Sequence, residues 1–512
     1  MSVGMKSWSF EELLALPNLG SLSNDDAFNA AGLLVDLAFD HRSEAGIDRA
    51  LALVDELRSR ALKPESAALL WYFTGNAWSA RRHFQSVQPE GVWTWDRPAA
   101  YQEILAFRRA LTHEGFSRLN RIRRCQILTN LGSLMSNVGR FVEALDYYDR
   151  ALGEDPNFGM ALGNRGHCLL AYARGLYDDG HQVVFAIESA RVLERALQLP
   201  LEPGAAEAMT QCLETAQRRS SGSRFLDNWD ALRDFSLGKT EDEVAFRAWA
   251  LRERLFLNPL NDLGNYEVAA RDVLHLPEVR VIAAHGTGFH GFMNQLKQEY
   301  AVARMLLFEA RDSTPHYADR DLHLVDTLDG TVFGLQHEKI KLAFRSAYSI
   351  LDKVAVFIAH YFSLGTEHVS FRDVWFTGKG ASRSLRPEFV DRQNWPLRGL
   401  FWLAKDLAEN DADFHEAMEP DAQETAKLRN RLEHRYVKVI GGATDDAGSA
   451  PPDPFAHRVE SERLVARTLR MVRSARAALI YLSLAVHEEE RKKPSAEEPG
   501  TVRGVLPVIE AR

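Results

Sequence analysis

The segment from Glu338 to Leu364 constrains the fold more than any other stretch, because apolar residues lie on nearly every side of the helix that it predicts. Such a helix is stable only when other elements surround it, so it belongs at the centre of a bundle. Arg345, Asp352, Lys353 and His360 interrupt its apolar pattern, which is unlike a membrane-spanning helix. We therefore predict an all-α fold for this part of the chain.

Three further helices complete a predicted four-helix bundle, which we assign to residues 336–490. Their patterns cover residues 396–409, 421–440 and 462–490. The segment 441–454 is rich in Gly, Pro and Asp and predicts a loop between the last two helices. The polar end of the chain, 491–512, is predicted to be disordered.

A different pattern occupies the first half of the chain, where residues 131–156 show the spacing of a paired-helix unit. Its bulky and small packing positions are Leu131, Gly132, Met135, Ala144, Tyr148, Ala151 and Pro156. The segment resembles a tetratricopeptide repeat, whose usual length is about 34 residues. Weaker units on both sides extend the predicted array to residues 27–235, because a solenoid needs about three units to bury its faces. A generic helical domain is the alternative, and either one would offer a binding or sensing surface.

The remaining parts of the chain are an N-terminal segment, 1–26, and a connecting helical region, 236–335. Within the connecting region, Asp329 and Gly330 stand between the stretches LVDTL and TVFGL. An Asp-Gly pair between two apolar runs predicts a small β-hairpin.

Charge and cysteine content limit the classes of function. A net charge of −9 argues against a protein that coats nucleic acid non-specifically, although a local basic site is still allowed. The odd and widely spaced Cys125, Cys168 and Cys212 give neither a disulfide framework nor a zinc pattern. The first residues lack the apolar run of a secretory signal. We therefore predict a soluble cytoplasmic protein with no metal, no other cofactor and no membrane contact.

The stretch with the clearest chemistry is Arg429-Asn430-Arg431-Leu432-Glu433-His434 in the third predicted bundle helix. Asn430 and His434 are four positions apart and would share a helix face, with Arg429 one position earlier. An imidazole can move protons near neutral pH, and a guanidinium group can bind phosphate oxygens. A chance arrangement of solvated side chains is the alternative. Basic neighbours that we predict to contact RNA are Arg431, Arg435 and Lys438.

This Arg-Asn-x-x-x-His motif resembles the signature of the HEPN superfamily, whose active members are metal-independent endoribonucleases. Four further stretches resemble a bacterial HEPN subfamily in which helical repeats precede the bundle, namely 255–264, 290–309, 343–362 and 397–407. The resemblance implies a four-helix bundle that dimerises and places two motif helices across one cleft. It also implies that Arg429, Asn430 and His434 occupy the positions of the active site.

Supporting residues come from the neighbouring helices. HEPN proteins often add a polar residue from a preceding helix, and the resemblance makes Asp352, with the adjacent Lys353, and Asp406 the candidates. An intramolecular ion pair that ties the bundle together is the alternative for Asp352 and Lys353. On the last helix, one face carries either a solvated row of cations or a row that contacts RNA phosphates, formed by Arg463, Arg467 and Arg470.

These features predict an endoribonuclease that cleaves RNA by 2′-hydroxyl attack at a composite dimer site. The resemblance suggests a bacterial defence or toxin-type effector that forms a homodimer or a higher assembly. The repeats would then bind a protein trigger or partner. A non-catalytic HEPN module that binds RNA or nucleotides on a repeat scaffold is the alternative, and a scaffold made of repeats alone is a third interpretation.

Overall fold

The structure is a computed structural model, and the all-α fold predicted from the sequence is confirmed. It describes residues 8–86, 93–223, 229–282, 287–311, 314, 316–365, 369–378, 382–407, 428, 431–432, 436–441, 453, 455–493, 501–503, 507 and 509–510. No helix among these residues combines the length and the apolar character that crossing a membrane requires.

The first half of the chain is a series of helices in which neighbours along the sequence pack against each other. These helices are α1 (Phe10–Leu14), α2 (Asn24–Asp40), α3 (Glu44–Arg58), α4 (Pro64–Ser86), α5 (Pro98–Thr112), α6 (Arg121–Asn137), α7 (Phe141–Glu154), α8 (Gly159–Gly175), α9 (Asp179–Ala196) and α10 (Ala205–Ser220). The helical character predicted for this half agrees with the structure. Its assignment to tetratricopeptide repeats stays a prediction.

Small residues allow the paired helices to approach closely. A Cβ atom added to Gly132 of α6 would lie 2.8 Å from the Tyr148 ring of α7. A Cβ atom on Gly166 of α8 would meet Leu193 of α9 at 2.6 Å. Both contacts pair a glycine of one helix with a large side chain of the next, which is the packing that the spacing of Gly132 and Tyr148 predicted.

The second half contains longer helices and short strands. The helices are α11 (Glu241–Arg252), α12 (Gly288–Glu309), α13 (Leu335–Tyr361), α14 (Pro387–Val390), α15 (Trp395–Asp406) and α16 (Ser461–Lys492). The strands are β1 (Arg280–Ile282), β2 (Thr331–Val332), β3 (Phe376–Thr377), β4 (Ser384–Leu385), β5 (Tyr436–Ile440), β6 (Ala456–Glu460) and β7 (Thr501–Arg503). Helix α13 is central, because it packs against both α12 and α16, while α15 packs on α16. Helix α12 is therefore part of the bundle, although the predicted boundary at residue 336 left it outside.

Three local predictions differ from the structure. Strand β2 pairs with β5, with Thr331 opposite Ile440, so the predicted hairpin at Asp329 does not form. Residues 436–440, predicted as the end of the motif helix, form β5, which also pairs in parallel with β6. The alternating Val437 and Val439 explain this strand, because β-branched residues favour a pleated and half-buried surface. In the tail predicted to be disordered, β7 pairs with β1.

Helices α4 to α9 of the first half share one hydrophobic core with the bundle, which extends from Ala68 in α4 to Val486 in α16. At the contact between the two halves, the Trp95 ring lies 5.6 Å from the Phe401 ring of α15. The Phe141 ring of α7 lies 4.5 Å from that of Trp395 and 4.7 Å from that of Tyr481. The face of the helical array that surrounds Phe141 is therefore occupied by α15 and α16 of the same chain.

Candidate functional site

The structure describes two positions within the Arg-Asn-x-x-x-His segment, Arg431 and Leu432, and the residue before it, Leu428. Leu428 is helical and fully buried, and Leu432 is helical and packs against the main core. Arg431 is helical and half-buried, and its Nη1 atom meets no hydrogen-bond acceptor among the described residues. The other predicted site residues of the segment lie outside the described residues, namely Arg429, Asn430, His434 and Arg435.

Lys438 lies on β5, which follows this segment, and forms ion pairs beside the small sheet. Its ammonium group lies 2.6 Å from the Asp329 carboxylate and 2.7 Å from that of Asp453. The hydrogen bond from Lys438 holds the pKa of Asp329 well below its usual range and lowers the pKa of Asp453 to about 2. The Lys438 side chain is buried and binds two carboxylates. This position disagrees with the predicted contact between Lys438 and RNA.

Asp352 and Lys353 both make contacts within the bundle. The Asp352 carboxylate accepts a hydrogen bond from the backbone N–H of Phe371 at 3.1 Å. Lys353 bonds to both carboxylate oxygens of Glu299 on α12, one of them at 2.6 Å. Lys353 thus ties α13 to α12, which agrees with the intramolecular ion pair considered as the alternative, although with a different acid.

Asp406, the other supporting candidate, lies at the contact between the array and the bundle. Its carboxylate accepts bonds from the guanidinium groups of Arg108, at 2.8 and 3.1 Å, and of Arg140. Burial alone would raise the pKa of the Asp406 carboxyl, but the two arginines reverse this effect and hold its pKa below the usual range. Asp406 is only 2% exposed, and its bonds join α15 to α5 and to the residue that precedes α7.

The three arginines predicted as one row on the last helix have different surroundings. Arg463 is exposed and pairs with Glu460 at 2.9 Å, whereas Arg467 is buried. Arg470 is exposed and lines a cavity with Arg473. The burial of Arg467 disagrees with a row of cations along one solvated face.

That cavity was missed by the sequence analysis. It has a volume of about 570 Å³, and α5, α7, α16 and the residues that follow α11 form its walls. Its lining comes from residues 108–150, 254–262 and 470–477. No local pattern could connect such distant stretches, and the regular recurrence of arginine at 470, 473 and 476 was the only sign of it in the sequence. Within the described ranges, no three His, Cys, Asp or Glu side chains come together as metal ligands.

Residues 282–489 match the family model for the LA2681-like HEPN domain. The matched segment contains α12, α13, α15 and nearly all of α16, together with the Arg-Asn-x-x-x-His motif. The match supports membership of the HEPN superfamily for this part of the chain and leaves the helical array uncovered. No curated protein matches the chain.

Proposed function

We propose that the protein is a metal-independent endoribonuclease whose active site contains Arg429, Asn430 and His434. The observation that carries the proposal is the presence of the Arg-Asn-x-x-x-His motif within the segment that matches an HEPN family model. The buried Leu428 supports it, because this residue anchors the segment to the core. By helical spacing, Asn430 is two positions from Leu428 and would lie on the opposite side of a helix.

The proposed reaction uses a nucleophile that RNA itself carries. The 2′-oxygen attacks the adjacent phosphorus and the bond from phosphorus to the 5′-oxygen breaks, which leaves a 2′,3′-cyclic phosphate and a 5′-hydroxyl. His434 would take the proton from the 2′-hydroxyl or supply one to the leaving oxygen. Arg429 would bind the non-bridging oxygens, and Asn430 would orient the phosphate or the imidazole.

The proposal includes a homodimer, since one imidazole cannot be base and acid in the same step. A two-fold axis beside the motif would bring a second His434 to the same cleft. Light scattering after size-exclusion chromatography should therefore give twice the mass of the 57.7 kDa chain, and a monomeric but active protein would rule out the composite site.

The deciding experiment is cleavage of total RNA and of tRNA in EDTA, with analysis of the product ends. The wild type should produce cyclic-phosphate ends and leave DNA intact, because DNA lacks the 2′-hydroxyl. His434→Ala should lower the rate by about 10²- to 10⁴-fold, the usual contribution of general acid–base catalysis. His360→Ala, an exposed histidine at the end of α13, serves as the matched control and should cut normally.

Other results would contradict the proposal. Cleavage that stops in EDTA would refute the metal-free mechanism. RNA binding without cleavage, in the wild type and in His434→Ala alike, would instead support a non-catalytic HEPN module.

We also propose a defence or toxin role, on the basis of the family resemblance. Expression of the wild type should then arrest bacterial growth, and expression of His434→Ala should not.

A further inference from the structure

The cavity between the helical array and the bundle has the dimensions of a small-molecule site. Its volume of about 570 Å³ lies within the range of roughly 300–1,000 Å³ that is usual for ligand pockets. Arginine is its most frequent lining residue, at positions Arg108, Arg140, Arg150, Arg254, Arg470, Arg473 and Arg476. The acidic lining residues are Glu143, Asp146 and Asp262. The lining therefore carries an excess of positive charge.

In the inner wall of the cavity, carboxylates balance the charges of the buried arginines. Arg476 lies 2.6 Å from Asp262, and its remaining nitrogens donate to the backbone carbonyls of Phe256 and Asn258. Arg140 bonds to Glu143 at 2.9 Å and also to Asp406. Because these groups are buried and bonded to one another, they form a rigid base rather than the part that meets a ligand.

The outer wall carries the arginines that can reach a ligand, namely Arg150, Arg254, Arg470 and Arg473. Arg150 and Arg470 are exposed. Arg473 is 46% exposed at its side chain and lies 2.8 Å from Glu253. Arg254 bonds to Asp149 and keeps 23% of its side chain exposed. These four cations project from α7, from α16 and from the turn after α11.

The backbone conformation of Arg254 also supports a role for its side chain in the cavity. Its φ of +57° lies in the left-handed region, which is unfavourable for a residue with a side chain and where glycine is the usual residue after a helix. Helix α11 ends at Arg252, and the N–H of Leu255 bonds to the carbonyl of Ala250 in the usual helix-ending pattern. An arginine at this position thus places a guanidinium group in the cavity wall at the expense of backbone stability.

We infer that this cavity binds a phosphate-bearing small molecule of nucleotide size. Forked guanidinium groups suit phosphate oxygens, and four of them at one opening can bind two or more phosphoryl groups. The apolar part of such a ligand would contact Leu111, Val142, Tyr147 and Ala477, which also line the cavity. Since α7 belongs to the array and α16 to the bundle, a bound ligand would stabilise the contact between the two halves.

Calorimetric titration of the full chain with ATP, inorganic pyrophosphate and adenosine tests the inference. ATP should bind more tightly than adenosine, because adenosine lacks the phosphates. If pyrophosphate binds as tightly as ATP, the site recognises the phosphates alone. If it binds more weakly, the nucleoside contributes as well. Failure of the wild type to bind either ATP or pyrophosphate would overturn the inference.

Two variants test whether ATP binds in this cavity. The double change Arg150→Glu and Arg470→Glu should weaken ATP binding by about tenfold or more, because each change removes charge-assisted bonds to the phosphates and adds a negative charge beside them. Arg218→Glu on α10, which also replaces an exposed arginine but lies far along the array, should bind as the wild type. Equal binding by the double variant and the wild type, or an equal loss in Arg218→Glu, would refute the site.

Two further variants separate this site from folding and from the proposed nuclease. Arg254→Gly removes a cation and suits the left-handed backbone, so it should fold normally and bind ATP more weakly. Normal ATP binding in Arg254→Gly would contradict the role given to that side chain. His434→Ala should bind ATP as the wild type does, so a failed nuclease assay and a failed binding assay remain distinguishable.

Discussion

The replacement Asp406→Asn should destabilise the protein far more than the loss of an ordinary ion pair. The Asp406 side chain is 3% exposed, and the side chains of its partners Arg108 and Arg140 are 5% and 4% exposed. Asparagine keeps the shape but removes the negative charge that the two buried guanidinium groups share, while Arg140 keeps its contact with Glu143 at 2.9 Å. Breaking a buried pair in this way costs about 3–5 kcal/mol. That is a large part of the roughly 5–15 kcal/mol by which proteins are stable.

Equilibrium unfolding in urea, followed by tryptophan fluorescence, measures this loss. The reporters lie at the same contact, because the indole N–H of Trp402 donates to the backbone carbonyl of Trp95 at 3.1 Å. The control is Asp373→Asn, whose carboxylate lies 3.3 Å from Arg383 with 63% of its side chain exposed. The control should lose less than about 1 kcal/mol. If Asp406→Asn loses no more than that control, the cluster does not hold the two halves together.

The cluster of Asp406, Arg108 and Arg140 also makes the free energy of unfolding depend on pH. Because the folded protein holds the pKa of Asp406 below its usual range, its contribution is fully present above the unfolded value of about 3.9. The contribution is lost as pH falls through the lower pKa of the folded state. The difference in unfolding free energy between the wild type and Asp406→Asn should therefore be constant from pH 5 to 7, where the carboxyl stays ionised, and shrink below about pH 4. A difference that grew on acidification would refute this assignment.

Two other features give simple tests. Gly399→Ala should lower stability by about 1–3 kcal/mol in thermal unfolding, since its Cβ atom would lie 2.3 Å from a backbone oxygen of the turn between α6 and α7. Gly153→Ala is the matched control, because its Cβ atom meets nothing within 4 Å, and unchanged stability in both variants would contradict the close contact. For the thiols, burial raises the pKa of Cys125 to about 11 and that of Cys168 to about 12, while Cys212 is half-buried. Iodoacetamide at neutral pH should therefore modify Cys212 first, as peptide mapping would show, and early modification of Cys168 would refute its burial.

The helices of the bundle could be predicted because their signal is local. The apolar stretch predicted at Glu338–Leu364 corresponds to α13 at Leu335–Tyr361, and the last helix corresponds equally well to α16. The small sheet could not be predicted in the same way. Strand β5 depends on a partner about a hundred residues earlier, and its five residues continue a run whose charges suit a helix. Tertiary pairing overrode the local pattern there.

Local sequence patterns could predict only part of the candidate site. The spacing of Arg429, Asn430 and His434 is a local signal, and the family match covers the segment that contains it. The position of Asp406 is not local, since its partners Arg108 and Arg140 belong to the other half of the chain. An aspartate on an amphipathic helix gives no sign in the sequence of whether it faces a substrate or two arginines.

The shared core has a consequence for how such a chain can change during evolution. Trp95 meets Phe401, and Phe141 meets Trp395 and Tyr481, across the contact between the array and the bundle. A substitution on one side therefore alters the packing required on the other. Recombination that joined the segment matching the HEPN family model to a foreign helical array would bring together surfaces that never adapted to each other. We therefore expect the two halves to be inherited together, with paired changes at these aromatic positions, although the family match covers only residues 282–489.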